Sequence, residues 1–343
     1  MRLHQVALTD TNQFSSFFLD YTQQKEQLTE FYHRFPTAEN LFQQAKEKSV
    51  SFPKANRALL QKVLVEQYST VRLTPTINHC IELLGNEKTF TVTTGHQLNI
   101  FTGPLYFIFK IITVVNACKR LKIKYPDYDF IPVYWMASED HDYEEIKSFR
   151  LYGKEFTWET DQTGAVGRFD PGSISKLLDQ IPGDITIFRN AYLKQKTLAG
   201  AVRSYVNDLF SADGVVVLDA DHPELKAQFK NVISSDLFDH VPKKLVDEKT
   251  KKLNDLGYHT QVNAREINLF YLDGKIRSRI ERSGDTFQVV DTDLRFTAEE
   301  MKKMVNEHPG RFSPNVILRP LYQEVLLPNI AYVGGPVEVI YWL

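Results

Sequence analysis

Residues 130–136 read FIPVYWM, and the polar run SEDHD follows at residues 138–142. A short run of β-branched and aromatic residues that ends abruptly in charge is typical of a buried strand. The same pattern recurs as FTVT at residues 90–93 and as VVVL at residues 215–218. Apolar helical segments separate the three runs. Strand, loop and helix repeated in this order predict an α/β protein with a doubly wound parallel sheet.

The segments around these strands predict the remaining organisation. Aromatic residues between positions 14 and 35 follow a rough helical period, and residues 1–85 are predicted to form a helical segment packed on the core. Pro104 is predicted to start the helix after the first strand, and one long helix is predicted over residues 225–256. Tight-turn residues predict a strand meander at 258–295 within a core of 86–145 and 211–343, with an insertion at 146–210.

Composition excludes several classes of function. The chain has 343 residues and a net charge of −2, from 41 basic and 43 acidic residues, so no basic surface for nucleic acid is predicted. The two cysteines do not make a disulfide framework. The N-terminus lacks the apolar core of a signal peptide, and the longest apolar stretch, residues 105–118, is too short to span a bilayer. We therefore expect a cytoplasmic protein without a membrane partner.

Polar clusters follow all three predicted strands, and ligands of open α/β sheets bind beyond the carboxyl ends of their strands. The first cluster is TTGHQ at residues 93–97, with Asn99, Thr102 and Gly103 in the next loop. Glycine lets the backbone approach a ligand, and a helix N-terminus offers free N–H groups to an anion. We expect a phosphate or carboxylate cradle with His96 and Gln97 as donors. The alternative is a turn glycine beside a satisfied loop histidine.

The second cluster contains Glu139, Asp140, His141 and Asp142. Like charges packed at a strand end cost stability through repulsion and desolvation unless they serve a function. A histidine between carboxylates is suited to acid–base chemistry or to metal ligation. The alternative is a solvated loop whose acidic residues precede a helix.

Two weaker signals complete the set. Asp219, Asp221 and His222 could join a metal site with His96 and His141, but the favoured interpretation is capping of a helix that starts at Pro223. The turn GGP at residues 334–336 could direct Glu338 into a cleft. The sequence contains no Walker A motif, dinucleotide fingerprint, Cys-x-x-Cys pair or Gly-x-Ser-x-Gly elbow.

Four longer motifs carry a family resemblance: TGHQLNIFTGPLY at 94–106, PVYWMASEDHDYEEI at 132–146, FSPNVILRPLYQE at 312–324 and LPNIAYVGGP at 327–336. In this order they resemble the bacillithiol-biosynthesis cysteine-adding enzymes. The resemblance implies a Rossmann-like core similar to class I aminoacyl-tRNA synthetases, with connecting-peptide insertions. It also implies a C-terminal coiled coil that forms a homodimer.

The activity implied by the resemblance is ligation of the cysteine carboxyl to the amine of glucosaminyl malate, as the last step of bacillithiol biosynthesis. An adenine nucleotide, ATP or ADP, and magnesium are implied as ligands, although the resemblance does not settle an ATP-driven mechanism. The expected catalytic residues are Glu139, Asp140, His141 and Asp142, and no metal ligand is assigned. The expected substrate- or nucleotide-binding residues are Gly95, His96, Gln97, Asn99, Thr102, Gly103, Tyr106, Trp135, Ser138, Arg319, Gly334, Gly335 and Glu338.

The sequence departs from the family pattern at two points, and two alternative functions stay open. Val337 stands where family members carry glycine, so a side chain intrudes at this turn. The sequence stops at Leu343, where the family continues into the coiled coil, and we therefore expect the coiled coil to be missing and dimerisation to be weakened. One rival is a metal-dependent amidohydrolase that uses His96, Asp140, His141 and Asp219. The other is a non-catalytic module that binds a nucleotide or metabolite.

Overall fold

The structure, a computed structural model, describes residues 4–343. Its strands are β1 (Thr89–His96), β2 (Asp129–Met136), β3 (Ser148–Leu151), β4 (Lys154–Thr157), β5 (Val216–Asp219), β6 (Leu269–Asp273), β7 (Ile276–Ser283), β8 (Thr286–Val289), β9 (Arg295–Thr297), β10 (Phe312–Pro314) and β11 (Asn329–Tyr332). Its helices are α1 (Ser16–Thr22), α2 (Ala38–Ser51), α3 (Lys54–Tyr68), α4 (Pro75–Leu83), α5 (Tyr106–Lys124), α6 (Tyr143–Ile146), α7 (Ser175–Leu178), α8 (Thr186–Lys194), α9 (Leu198–Phe210), α10 (Pro223–Ala227), α11 (Lys230–Ser234), α12 (Val241–Asp255), α13 (Ala298–Glu307), α14 (Arg319–Leu326) and α15 (Pro336–Trp342).

The central sheet has four parallel strands in the order β11-β1-β2-β5. This confirms the predicted parallel sheet and adds β11, which the sequence did not predict. His96 lies opposite Met136, and Met136 lies opposite Asp219. The carboxyl ends of the strands therefore meet at one edge, where the polar clusters gather.

Helices cover both faces of this sheet. Side chains of consecutive strand residues point to opposite faces. Tyr134 packs against Phe107 of α5, with ring centroids 5.1 Å apart, whereas its neighbour Trp135 packs against Tyr322 of α14 at 5.6 Å. Burial on both sides explains why β1 and β2 are almost continuously apolar or small rather than alternating.

The strand order reverses direction between β1 and β11. The chain proceeds from β1 to β2 to β5 and then returns to the other side of β1. Such a reversal leaves a crevice beyond the carboxyl ends of the two strands, and open α/β sheets bind their ligands there. The topology alone therefore places a binding site beside the ends of β1 and β11.

Antiparallel strands form the remaining sheets. β3 and β4 make a hairpin after α6, and a five-stranded sheet follows the order β10-β6-β7-β8-β9. The sheet extends the predicted meander, because β9 and β10 add a strand to each edge. The turn between β6 and β7 approaches the carboxyl edge of the parallel sheet.

Three helical predictions were wrong in detail. The single helix predicted at 225–256 is divided into α10, α11, a π-helical turn at Ser235–Asp239, and α12. His240 has a left-handed φ of 53° and Pro242 follows, and both interrupt a continuous helix. The aromatic period at 14–35 corresponds to α1 and a 3-10 segment, and α5 begins two residues after Pro104. Within residues 4–343, no helix combines the length and apolarity needed to cross a membrane.

Candidate active site

A cavity of about 210 Å³ lies at the reversal between β1 and β11, and we call it the switch-point cavity. Seven of the predicted site residues line it: Gly95, His96, Gln97, Tyr106, Trp135, Arg319 and Glu338. The sequence did not single out the other lining residues, which are Ala137, Val316, Pro320, Gln323, Tyr332, Tyr341 and Trp342. The structure therefore gathers side chains from β1, β2, β11, α5, α14 and α15 around one space.

Helix α15 forms a wall shared by several cavities. The Trp342 ring stacks on Tyr332, with centroids 4.3 Å apart and planes inclined by 12°. Besides the switch-point cavity, Trp342 lines a cavity bordered by Leu253 of α12 and another bordered by Ile330 of β11.

Lys110 connects two residues that line the switch-point cavity, Gly95 and Glu338. Its Nζ donates to the Gly95 carbonyl at 2.5 Å and to Glu338 Oε2 at 2.8 Å, and its side chain is only 6% exposed. Burial lowers the pKa of Lys110, while the Glu338 carboxylate acts in the opposite direction. Glu338 also accepts from the Tyr332 hydroxyl at 2.8 Å and from the Gly335 N–H at 2.6 Å. The pair therefore joins α5, β1 and α15.

His96 is held in the neutral form. Burial lowers its pKa to about 4, and the charge of Lys110 adds to this effect. Its Nδ1 lies 3.4 Å from the Tyr106 hydroxyl, and within residues 4–343 its buried Nε2 has no hydrogen-bond partner. His96 therefore presents a neutral, unsatisfied imidazole nitrogen instead of the cation that would best bind an anion.

Other residues of the chain occupy the space beside the glycines that were expected to cradle a ligand. A Cβ built on Gly95 would lie 3.0 Å from the Tyr332 hydroxyl, and one on Gly103 would lie 2.5 Å from Asn99 Cβ. At Gly334 it would lie 2.9 Å from Glu338 Cβ, and at Gly335 it would lie 3.3 Å from Glu338 Oε2. These glycines permit close packing within the chain, so a phosphate cradle does not fit at them.

The loop after β1 faces away from the cavity beyond Gln97. Gln97 Nε2 donates to Glu145 Oε2 at 2.5 Å, and Asn99 Nδ2 donates to the Glu145 carbonyl at 3.2 Å. Thr102 has a left-handed φ of 70° and does not line the switch-point cavity. Asn99 and Thr102 thus belong to the structure of the loop itself. Of Gln97, Asn99 and Thr102, only Gln97 lines the switch-point cavity.

Glu139 belongs to a buried ionic network at the carboxyl ends of β2 and β5. It pairs with Lys226, which lies 3.2 Å from Asp221, and Asp221 accepts two hydrogen bonds from Arg168 at 2.7 and 2.9 Å. Burial raises the pKa of Glu139. Burial also opposes ionisation of Asp221, but Lys226 and Arg168 outweigh it and lower that pKa. The network does not line the switch-point cavity.

The predicted capping by aspartates was wrong. Ser138 donates to Asp219, and Asp221 is held by Arg168 and Lys226. The residue before α10 is His222, and no side-chain hydrogen bond caps that helix. Asp219 instead joins β5 to the loop after β2, and burial raises its pKa.

Asp140 lies between two guanidinium groups. Its carboxylate is 3.5 Å from Arg277 Nη1 and 3.8 Å from Arg319 Nη2. Burial opposes ionisation, but a hydrogen bond from His141 and the two positive charges hold the pKa of Asp140 well below its usual range. Such a carboxylate orients its neighbours and is a poor proton acceptor. Asp140 does not line the switch-point cavity, but it contacts Arg319, which does.

The other two residues of the acidic cluster lie apart from the cavity. His141 contacts Arg277 and the ring of Phe270, and Asp142 is exposed. None of the residues 139–142 lines the switch-point cavity.

Metal-ligating side chains do not gather where the amidohydrolase alternative needs them. Among residues 4–343, the one group close enough to share an ion is Glu66, His222 and Glu224, whose ligand atoms lie within 4.8 Å of one another. Glu224 in this group is paired with Lys62 at 2.6 Å. His96, Asp140, His141 and Asp219 do not form such a group.

A doubly wound parallel sheet with a lined cavity at its switch point defines a Rossmann-like ligand-binding domain. Over residues 1–343 the chain matches the family described as "Bacillithiol biosynthesis BshC, N-terminal Rossmann-like domain". The chain belongs to this family, and the resemblance seen in the sequence is confirmed.

Curated relatives share this assignment. The chain is 46% identical over 341 residues to a Cytophaga hutchinsonii protein named "Putative cysteine ligase BshC", with 99% of this chain and 65% of that protein covered. Proteins of the same name from Christiangramia forsetii and Natranaerobius thermophilus are 44% and 32% identical, with 98% and 96% of this chain covered. The chain spans 65% and 64% of those two proteins, so it represents about two thirds of the length of its relatives.

Proposed function

We propose that this chain is the Rossmann-like part of a cytoplasmic cysteine ligase that joins cysteine to glucosaminyl malate in the last step of bacillithiol biosynthesis. Family membership and the name of the curated relatives support the reaction class. The observation that carries the proposal is the switch-point cavity, which neutral His96, Arg319 and the Glu338 carboxylate line together.

His96 is suited to an amine nucleophile. An ammonium group has no lone pair, so the attacking amine must be neutral. A protonated histidine would repel an ammonium and could not accept from it, whereas a neutral imidazole can accept an N–H and orient the amine lone pair. When Nδ1 carries the ring proton and donates to Tyr106, Nε2 is left with the lone pair that this role requires.

Arg319 is suited to the carboxylates that both substrates carry. Its nearest carboxylate contact in the chain is Asp140 at 3.8 Å, which is too long for a strong hydrogen bond. The guanidinium therefore keeps donors for a bidentate contact to a ligand carboxylate. The aromatic rings of Trp135, Tyr341 and Trp342 line the same space.

ATP or ADP and magnesium stay predictions from the family resemblance. The glycines do not offer a phosphate cradle, and Glu338, a carboxylate lining the cavity, is already paired with Lys110. An assay with and without ATP and magnesium tests whether a nucleotide is needed.

The test is a mass-spectrometric assay of purified protein with cysteine and glucosaminyl malate, with and without ATP and magnesium. We expect the thiol conjugate to form with the chain extended beyond Leu343 to the length of its relatives. His96→Gln should reduce the rate by about tenfold, because it removes the hydrogen-bond acceptor that orients the amine and one such bond contributes about 1 kcal/mol. The matched control is His79→Gln at an exposed histidine of α4.

Two outcomes would contradict the proposal. A folded, extended protein that yields no conjugate under any of these conditions would remove the ligase function. Equal rates for wild type and His96→Gln would remove the switch-point cavity from the chemistry. The proposal also includes the homodimer that the family resemblance implies, and a monodisperse monomer of the extended protein in light scattering would contradict that part.

A further inference from the structure

A further cavity, of about 460 Å³, is lined by Arg277, which contacts Asp140 as Arg319 does. Its lining comes from four segments: residues 141–143 after β2, residues 162–169 of the insertion, residues 275–278 at the start of β7, and residues 291–292 after β8. We call it the hairpin cavity. Neither the sequence motifs nor the proposed ligase reaction accounts for it.

Direct contacts between the lining segments hold the walls of the hairpin cavity together. Thr163 Oγ1 donates to the Lys275 carbonyl at 3.0 Å, and a Cβ on Gly164 would lie 2.9 Å from the Lys275 carbonyl carbon. The Val166 N–H donates to the Asp140 carbonyl at 2.7 Å. The insertion, the β6–β7 turn and the loop after β2 are therefore held together around the space.

Arg277 is the buried charge of the hairpin cavity. Its side chain is 2% exposed, its Nε donates to Ser313 Oγ at 3.2 Å, and its Cζ lies 4.0 Å from the Phe270 ring centroid. Nη1 faces Asp140 and His141, and Nη2 has no hydrogen-bond partner within residues 4–343. A guanidinium carries five donors, so part of this buried group is left for a ligand.

His141 adds a second donor. A guanidinium has no lone pair, so His141 Nδ1 must accept in its contact with Arg277. The ring proton of the neutral tautomer is then on Nε2, which can donate. Lys275 lines the same cavity from its exposed side, and Asp291 is the one carboxylate among the lining residues. Cationic and neutral donors therefore outnumber acidic groups around the space.

We propose that the hairpin cavity binds a small anion through Arg277, His141 and Lys275, and that the anion carries a carboxylate or phosphate group. This proposal does not depend on the proposed ligase function. Asp140 contacts both Arg277 and Arg319, so the hairpin and switch-point cavities share one carboxylate. An anion beside Arg277 therefore competes with Asp140 for that guanidinium and leaves Asp140 to Arg319.

The experiment is isothermal titration calorimetry of the whole chain with inorganic phosphate and, separately, with succinate at low ionic strength. The variants are His141→Ala and Lys275→Met at the accessible donors, and Arg277→Lys at the buried one. We expect each variant to weaken binding by about tenfold or more, because each removes or displaces a charged or polarised donor. The matched control is Arg279→Met, two residues along β7, where Arg279 pairs with Glu281 at 3.3 Å.

The two titrations distinguish a site for phosphate groups from a site for carboxylate groups. Binding of phosphate alone or of succinate alone, lost in the His141 and Lys275 variants, assigns the site to that class. Absence of binding by wild type in both arms overturns the proposal. Binding that survives both variants but disappears in His96→Gln also overturns it, because the anion is then in the switch-point cavity. The conjugation assay on wild type tests the ligase function separately.

Discussion

At the scale of single residues, the chemistry of His96 depends on groups that are distant in the sequence. Its position after a predicted strand identified it as a site residue. Its neutral state comes from burial and from Lys110, which the sequence showed only as an interruption in an apolar helix. A lysine on an otherwise apolar helical face was the signal for this missed residue, because a buried ammonium requires a partner.

The depressed pKa of His96 predicts a pH-dependent stability. In the unfolded chain the imidazole titrates near the ordinary histidine pKa of about 6.5, whereas in the folded chain the pKa of His96 is about 4. Between these values the unfolded state binds a proton that the folded state does not, so stability falls as pH falls. His96 should contribute a loss of about 2 kcal/mol between pH 7 and pH 5.

Urea denaturation followed by circular dichroism at the two pH values measures this effect. His96→Gln should lose less stability over the interval than wild type does, whereas the exposed-residue control His79→Gln should behave like wild type. Equal pH dependence in all three proteins would show that His96 titrates normally.

At the scale of elements, α5 and α15 are joined across the end of β1 by the Lys110–Glu338 pair. Lys110→Met should destabilise the protein by about 3 kcal/mol, because it leaves Glu338 without its buried cation. Lys119, on the same helix, pairs with Asp213 while 59% exposed, so Lys119→Met should cost below about 1 kcal/mol. Urea denaturation of the two variants measures the contrast, and similar losses would contradict it.

The elements also show what local sequence can predict. β1, β2 and β5 were predicted because each is an apolar run bounded by polar residues. β11 was missed because its place beside β1 depends on tertiary contacts such as Asn329 Oδ1 accepting from Thr93 Oγ1 at 2.8 Å. Pro242 could have indicated the break before α12 from the sequence, whereas the left-handed φ of His240 leaves little trace in a periodic pattern.

At the scale of the whole molecule, the network of Glu139, Lys226, Asp221 and Arg168 fastens the insertion to the sheet. Lys226→Met should cost about 3–5 kcal/mol at pH 7.5, because two buried carboxylates lose their shared cation. The pKa of Glu139 is already raised by burial and should rise further in the variant. A carboxyl with a raised pKa binds a proton on folding, so the deficit should narrow as the pH falls to 5.5.

Urea denaturation at both pH values checks this expectation. Lys62→Met is the control, because Lys62 forms an exposed pair with Glu224 of α10. A deficit that is constant with pH would mean that Glu139 stays ionised in the variant.

The same network explains the limits of site prediction. Seven of the residues predicted from the motifs line the switch-point cavity. The sequence could not show that Glu338 lines this cavity and that Glu139 does not, because each is an acidic residue beyond a strand and each pairs with a buried lysine. That distinction depends on where each ion pair lies in three dimensions.

The shared wall formed by Trp342 has a spectroscopic consequence. The chain has three tryptophans, and Trp135 and Trp158 are 4% and 1% exposed. The Trp342 indole borders three cavities at once, whereas Trp135 borders only the switch-point cavity among these three. A ligand in the switch-point cavity changes the polarity around both indoles, whereas a ligand in either of the other two cavities changes it around Trp342 alone. Comparing the emission of Trp342→Phe and Trp135→Phe proteins therefore makes the chain an intrinsic fluorescent reporter that distinguishes a ligand in the switch-point cavity from one in the other two.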